Sequence, residues 1–286
     1  MFKKISLITN SDSENIAETL RFLIKFLQKR GIEIELDECC GRLLKNTELP
    51  VVPPDQVGAS SDLAIAIGGD GTMLKAAHLV CGHDIPLLGI NRGRLGFLAD
   101  IPADSVQQHL EEILNGNYSE DPRFMLYSEV RRDNAVIQER NAFNDVIVQK
   151  WNVARLIEMD TYVDDIFVHR QRSDGMIVSS PTGSTAYALS GGGPILYPTL
   201  DALVLVPICP HSLTNRPIVI NGNSKVDIIL GPSEDNYACL TCDGDIAMEL
   251  QAGDRVHVEK KNKHIRLIHP VGHDHFSILR AKLRWG

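Results

Sequence analysis

No apolar run in the 286-residue chain approaches the roughly 18 residues of a membrane-spanning helix, so no membrane partner is expected. An excess of basic residues is missing too: 29 Lys and Arg stand against 37 Asp and Glu, a formal net charge of −8. Gripping a nucleic-acid backbone needs clustered Lys and Arg, so no nucleic-acid partner is expected and a small-molecule substrate is. Met1-Phe2-Lys3-Lys4 has the charge of an export signal, but only Ile5 to Ile8 follow before the polar Thr9-Asn10-Ser11-Asp12. A cytoplasmic location is therefore expected. Cysteine is sparse, six residues at irregular spacing, and without an export signal these are expected to be free thiols. Cys239 and Cys242 form a CxxC with no second CxxC, and strand geometry would aim them at opposite faces, which argues against a zinc site. His273-Asp274-His275 has no third ligand nearby in sequence and reads as the solvated start of a terminal helix. Neither GxxxxGK[ST] nor the GxGxxG dinucleotide fingerprint occurs, and no repeat of solenoid period is visible.

What is present is an ordinary globular composition, 43% apolar and 23% charged, in a chain long enough for two domains. The first hundred or so residues alternate short β-like runs with amphipathic helical patterns, the signature of βαβ units on a parallel sheet. Ile5–Ile8 is a predicted strand. Ser13 stands at an N-cap position, Ile16, Leu20, Leu23, Ile24 and Leu27 follow at helical spacing, and Gly31 closes the helix. Ile32–Leu36, Leu63–Ile67 and Ile85–Ile90 are predicted strands, and Met73–Leu79 and Ser105–Leu114 are predicted helices. From about Met125 the chain reads as short alternating strands with Asp, Asn and Gly turns, including Leu156–Val163 and Val226–Leu230. Phe276–Trp285 reads as a helix again. The expected architecture is α/β plus all-β: a Rossmann-like α/β domain over 1–118 and 268–286, and a β-sandwich-like domain over 119–267.

Gly68-Gly69-Asp70-Gly71-Thr72 lies between predicted strand and helix, where unpaired N–H groups and a partial positive charge can receive phosphate oxygens. A carboxylate beside phosphates is repelled unless a cation or a hydroxyl proton intervenes, and both belong to phosphoryl transfer. The alternative is a tight turn with Asp chosen for turn propensity. Asn144-Asp145 by itself reads as a turn before Val146-Ile147-Val148, and Pro181 to Ser190 as a glycine turn entering a short helix.

Taken together with Asn91-Arg92-Gly93-Arg94-Leu95-Gly96-Phe97-Leu98, Arg172-Ser173-Asp174-Gly175 and Gly191-Gly192-Gly193-Pro194, these segments resemble the NAD kinase family in motif order over nearly the whole chain. GGDGT is shared with lipid kinases and, more loosely, with phosphofructokinases; PTGSTAY is far more specific. The resemblance implies phosphorylation of the 2′-hydroxyl of the adenosine ribose of NAD by ATP, with a divalent cation, magnesium by default, arriving with the phosphates. It gives Asp70 the task of contacting that hydroxyl and packs Gly71 against the same nucleotide. A carboxylate with an ordinary pKa near 3.9 is a weak base for a ribose hydroxyl, so positioning should dominate.

The same resemblance assigns base or ribose contacts to Asn144 and Asp145, where relatives usually carry Glu at the second position. Asp174 would hold the second ribose or the nicotinamide side of the dinucleotide, with Arg155 and Arg172 near its edges, and Arg172 would favour ATP over polyphosphate as donor. Thr185, Ala186, Tyr187, Ala188, Leu189 and Ser190 match the nucleotide-contacting run, and Asp245 stands where relatives often have Gln. A homotetramer built from dimers, or a homodimer, is implied as well. Two rival readings are another GGDGT kinase and a non-catalytic sensor of NAD or NADP.

Overall fold

A computed structural model describes residues 2–45, 47–151, 155–232 and 238–285. The chain divides into two compact units, one of 1–122 with 263–286 and the other of 123–262.

The first unit begins with β1 (Lys4–Ile8), α1 (Glu14–Gln28), β2 (Glu33–Asp37), α2 (Glu38–Leu44) and β3 (Val51–Val52). It continues through β4 (Leu63–Gly68), α3 (Asp70–Val80), β5 (Pro86–Asn91), β6 (Ile101–Pro102) and α4 (Val106–Leu114). Its strands pair in parallel in the order β3-β2-β1-β4-β5, with β6 beyond β5. Every residue of β4 and β5 is buried, which is why both read as unbroken apolar runs. Helices α1 and α4 turn Leu20, Leu23, Leu27, Leu110 and Ile113 into the same core as Ile5, Leu7, Ile65 and Ile90. Ser13 does occupy the N-cap of α1, but its side chain makes no capping bond. Helix α2 has no counterpart among the sequence expectations; it is seven residues long, and Asp37 caps it by accepting from the Cys40 N–H at 2.8 Å.

The order 3-2-1-4-5 reverses direction between β1 and β4, and in open α/β sheets ligands bind beyond the carboxyl ends of strands flanking that point. The glycine loop leaves the end of β4, and Thr9-Asn10 leaves the end of β1.

The second unit is antiparallel. Strands β7 (Tyr118–Arg132) and β8 (Ala135–Ala142) form a hairpin, followed by β9 (Asp145–Lys150), β10 (Ile157–Val163), β11 (Ile166–Ser173) and β12 (Gly175–Ser179). After the short helix α5 (Tyr187–Ser190) come β13 (Ala202–Ile208), β14 (Ile218–Asn221), β15 (Val226–Leu230), β16 (Ala238–Cys242), β17 (Asp245–Leu250) and β18 (Arg255–Pro270); the terminal helix α6 (His275–Leu283) belongs to the first unit. The unit boundaries fall within the long strands β7 and β18; the end of β18, Arg266–Ile268, pairs in parallel with β5.

One sheet of this unit runs β14-β13-β12-β9-β16-β17, and the other includes β11-β10-β15 and the start of β18. Val146, Val148, Met176, Val178, Leu203 and Leu205 from the first pack with Met159, Ile228, Val256 and Val258 from the second, a sandwich core set by the period of two. Alternate residues Ile147, Ile177, Val204 and Val206 point the other way and are covered by Ala188 and Leu196. Cys239 and Cys242 obey the same alternation: Ala238, Leu240 and Cys242 face the sandwich core, and Cys239 does not. All six cysteines are free, and burial pushes the Cys242 thiol up to about 11.

Candidate active site

In the first unit, Asp70 is the opening residue of α3 and Gly69 its N-cap. The helix thus starts three residues earlier than its apolar spacing indicates, and the carboxylate lies in the first turn, where the helix dipole favours negative charge. Two backbone donors fix it. The Phe97 N–H donates to Asp70 Oδ2 at 2.9 Å and the Leu98 N–H to Oδ1 at 3.0 Å. Close approach by this segment depends on Gly96, because a Cβ there would come within 2.1 Å of Asp70 Oδ1. Gly68 meets a similar demand, as its Cβ would fall 2.1 Å from Thr72 Oγ1. Thr72 donates to Asn10 Oδ1 at 2.5 Å, and Lys75 Nζ reaches both the Thr9 carbonyl and Asp37 Oδ2 at 2.6 Å. The ends of β1 and β4 are thereby tied to the first turns of α3, and Gly71 is left exposed on that turn.

Magnesium prefers near-octahedral oxygen donors. Among the described residues the one grouping of His, Cys, Asp or Glu close enough to hold an ion is Asp100, His269 and His273, two of them imidazoles. At the glycine loop both Asp70 oxygens already accept amide protons. The side chains therefore do not fit a dedicated magnesium cage.

In the second unit, Asn144, Asp145, Ala186 and Tyr187 line a cavity of about 360 Å³ together with Ile147, Gln149, Thr241, Asp243 and Gly244. Tyr187 is about half exposed at its edge. The residue that organises this cavity is Asp243, which the sequence reading did not count among the site residues. Its carboxylate accepts from the N–H groups of Phe143 at 2.7 Å, Asn144 at 2.7 Å and Asp145 at 3.2 Å. Asp243 and Gly244 both have positive φ, 52° and 89°, as a two-residue hairpin turn between β16 and β17 requires. The Asp-Gly pair signalled that turn, and nothing in the sequence signalled the clamp.

The run after β12 is fastened to the same place. The Ser180 N–H donates to the Asn144 carbonyl at 2.9 Å, and Ser180 Oγ donates to the Phe143 carbonyl at 2.6 Å. A Cβ on Gly183 would collide with the Asn144 carbonyl at 2.2 Å, so the PTGST turn packs there because it carries glycine. Thr185 Oγ1 donates to the Thr182 carbonyl at 3.3 Å, Ala188 is fully buried against the sheet, Leu189 is half-buried and Ser190 exposed.

The remaining residues singled out in the sequence do not line this cavity. Asp174 pairs with Lys150 Nζ at 2.6 Å at the join of β11 and β12. Arg172 is exposed near the end of β11; Arg155 and Asp245 are exposed as well.

Asp145 is 3% exposed, and burial followed by repulsion from Asp243 pushes its carboxyl up from 3.8 to about 7. The folded chain then keeps a proton that the unfolded chain loses near pH 3.8, so this residue's contribution to stability falls as pH rises from about 4 to about 7 and levels off above. Asp145→Asn removes that penalty. The variant is expected to be more stable than the wild type near pH 8, by at most about 4 kcal/mol, with the gap closing toward pH 4. Denaturant unfolding across this range checks it; an equal gap at both ends contradicts it.

Comparison with known proteins finds relatives along nearly the whole chain. The family model described as the ATP-NAD kinase N-terminal domain matches residues 5–118, and the ATP-NAD kinase C-terminal domain model matches residues 143–270. An NAD kinase of Teredinibacter turnerae is 45% identical over 284 residues, which cover 99% of this chain and 97% of the relative. One from Azotobacter vinelandii is 44% identical over 285 residues, covering 100% and 97%. In fold, the chain is similar to yeast NADH kinase complexed with NADH, with a TM-score of 0.90 at 22% identity, covering 99% of this chain and 88% of that one. It is also similar to an NAD kinase from Archaeoglobus fulgidus in complex with ATP, with a TM-score of 0.74 at 24% identity and 98% of each chain covered. With both family domains matched in order and full-length relatives above 40% identity, the chain belongs to the ATP-NAD kinase family.

Proposed function

We propose that this chain transfers the γ-phosphoryl group of ATP to the 2′-hydroxyl of the adenosine ribose of NAD, giving NADP and ADP, and that Asp70 aligns that hydroxyl. The observation that carries the assignment to Asp70 is its double amide clamp at the start of α3, beyond the end of β4. A carboxylate that can swing pays orientational entropy in every turnover, whereas one held by two N–H groups meets the hydroxyl in a fixed direction. Beyond those two bonds a carboxylate keeps lone pairs that can accept a hydrogen bond from the hydroxyl. Gly68, Gly69 and Gly71 leave the helix N-terminus open to phosphate oxygens. Magnesium travels with the ATP phosphates in this reading.

The cavity of the second unit takes a nucleoside portion of NAD. Tyr187 offers a ring face, Asn144 two donors and an acceptor, and Asp145 a carboxyl whose proton is shared with the ligand or lost on binding. Ala186 lines that wall, and Thr185, Ala188, Leu189 and Ser190, beside it on the same turn and short helix, serve the same nucleotide in this reading. Asp174, with Arg155, Arg172 and Asp245, serves the outer parts of the dinucleotide. The chain works as a homotetramer or homodimer in the cytoplasm; exposed Ile166 and Phe167 on β11 support association, and no described helix is long and apolar enough to cross a membrane.

With NAD, ATP and magnesium, the wild type is expected to produce NADP in an assay coupled to an NADP-specific dehydrogenase. Asp70→Asn should lower kcat by about 10²–10⁴-fold while calorimetry still detects NAD binding. A variant that retains full turnover refutes the assignment of Asp70, and a wild type that binds NAD without making NADP refutes the kinase reading. The exposed guanidinium of Arg172 leads to a separate expectation, that ATP is the better phosphoryl donor; equal turnover with polyphosphate contradicts it.

A further inference from the structure

His273, read from sequence as part of a solvated helix start, has a different setting in the fold. Asp274 does cap α6, accepting from the Phe276 and Ser277 N–H groups at 3.0 and 3.1 Å. His273 meets His269, at the end of β18, and Asp100, from the connection that follows Phe97 and Leu98. Both imidazole Nδ1 atoms converge on one carboxylate oxygen, Asp100 Oδ2, at 2.9 Å from His269 and 2.6 Å from His273. All these residues lie in the first unit.

We propose that Asp100, His269 and His273 form a site for one transition-metal dication of the zinc class, with Asp121 as the outer partner of His269. The three donor atoms lie within 4.8 Å of one another. Zinc–nitrogen and zinc–oxygen bonds of about 2.0–2.2 Å in a tetrahedron separate donors by roughly 3.3–3.5 Å. The present nitrogen–oxygen contacts need open by less than about 1 Å to reach that spacing. The rings stack with centroids 3.7 Å apart and 18° between their planes, so ligation also rotates them until both Nδ1 lone pairs meet at a common point. Asp100 is the one carboxylate among the three donors and brings the negative charge.

The surroundings supply a second, independent observation. His269 is 3% exposed, and its Nε2 is buried without a hydrogen-bond partner, as is Asp100 Oδ1. Asp121 Oδ2 is 3.7 Å from that Nε2, just outside bonding distance. A metal on Nδ1 of a neutral His269 displaces the proton there to solvent, and Nε2 takes one up, now directed at Asp121. No net proton is released from a neutral ring, and one is released from each ring that was protonated. The product is the carboxylate–histidine–metal arrangement in which an outer carboxylate fixes the tautomer of a ligating imidazole. Two imidazoles and one carboxylate suit zinc or a similar first-row ion and do not suit magnesium, so this site is separate from the ion that accompanies ATP. Asp100 stands two residues beyond Leu98, whose N–H holds Asp70, so an occupied site would anchor the segment that clamps the proposed catalytic carboxylate.

The test titrates the chelator-stripped full chain with Co²⁺ and Zn²⁺, reading visible ligand-field absorption and calorimetric heat. One saturable Co²⁺ site with a low-coordinate spectrum and no thiolate charge-transfer band is expected. His273→Gln should abolish it, Asp121→Asn should weaken it by about 10–100-fold, and Cys239→Ser should leave it unchanged, each variant being checked for its fold by circular dichroism. The proposal is overturned by a wild type without saturable binding, by a thiolate band, or by affinity unaltered in both His273→Gln and Asp121→Asn. NADP formation is not needed for any of these readouts, so failure of the kinase reading and failure of the metal site are distinguishable.

Discussion

The two amide hydrogen bonds from Phe97 and Leu98 to the Asp70 carboxylate are the constraint around which the first unit's chemistry is arranged. They require the segment after β5 to lie against the first turn of α3, which only a residue without a side chain at position 96 permits. They also require the turn itself to be fixed, and Thr72, Asn10 and Lys75 supply that through bonds between the ends of β1, β4 and α3. The parallel sheet places these strand ends side by side at its point of reversal. Burial of β4 and β5 on both faces keeps the platform rigid.

The second unit solves a related problem in the opposite sense. There a carboxylate, that of Asp243, holds backbone in place by taking three consecutive N–H groups. Burial raises the pKa of Asp145, and the charge of the same Asp243 adds to it, so the device that shapes the cavity also bears on the charge of one of its walls. A buried carboxyl raised to about 7 lowers stability as pH rises from about 4 to about 7, a cost of the kind commonly found at binding sites. Its Asn144 neighbour is packed from the other side by the Gly183 turn, so cavity wall and glycine run are mutually dependent.

Legibility followed the physical origin of each feature. The strands β1, β4 and β5 and the helices α1 and α4 were readable because burial imposes its period on residue types. The seven-residue α2 was not, since it is too short to display a period. The long strands β7 and β18 were also missed as single elements, their exposure changing along their length. Of the site, Asn144, Asp145, Ala186 and Tyr187 gather in one cavity, as residues from one family motif set should. The partners that position them were invisible for a simple reason: Asp243, Phe97 and Leu98 act through or upon backbone N–H groups, which every residue but proline carries. Asp100 and His273 were likewise unreadable as neighbours, separated by 173 positions and joined only by the fold.

The account rests on the claim that Asp70 acts because it is held in place. Gly96→Ala tests this directly, since the added methyl would sit 2.1 Å from Asp70 Oδ1 and must displace the carboxylate without altering its charge. Steady-state kinetics of this variant should show kcat reduced by about 10²-fold, as for an ångström-scale misplacement of a reacting group, with the KM for NAD changed little. A folded Gly96→Ala protein whose kcat matches the wild type would contradict it.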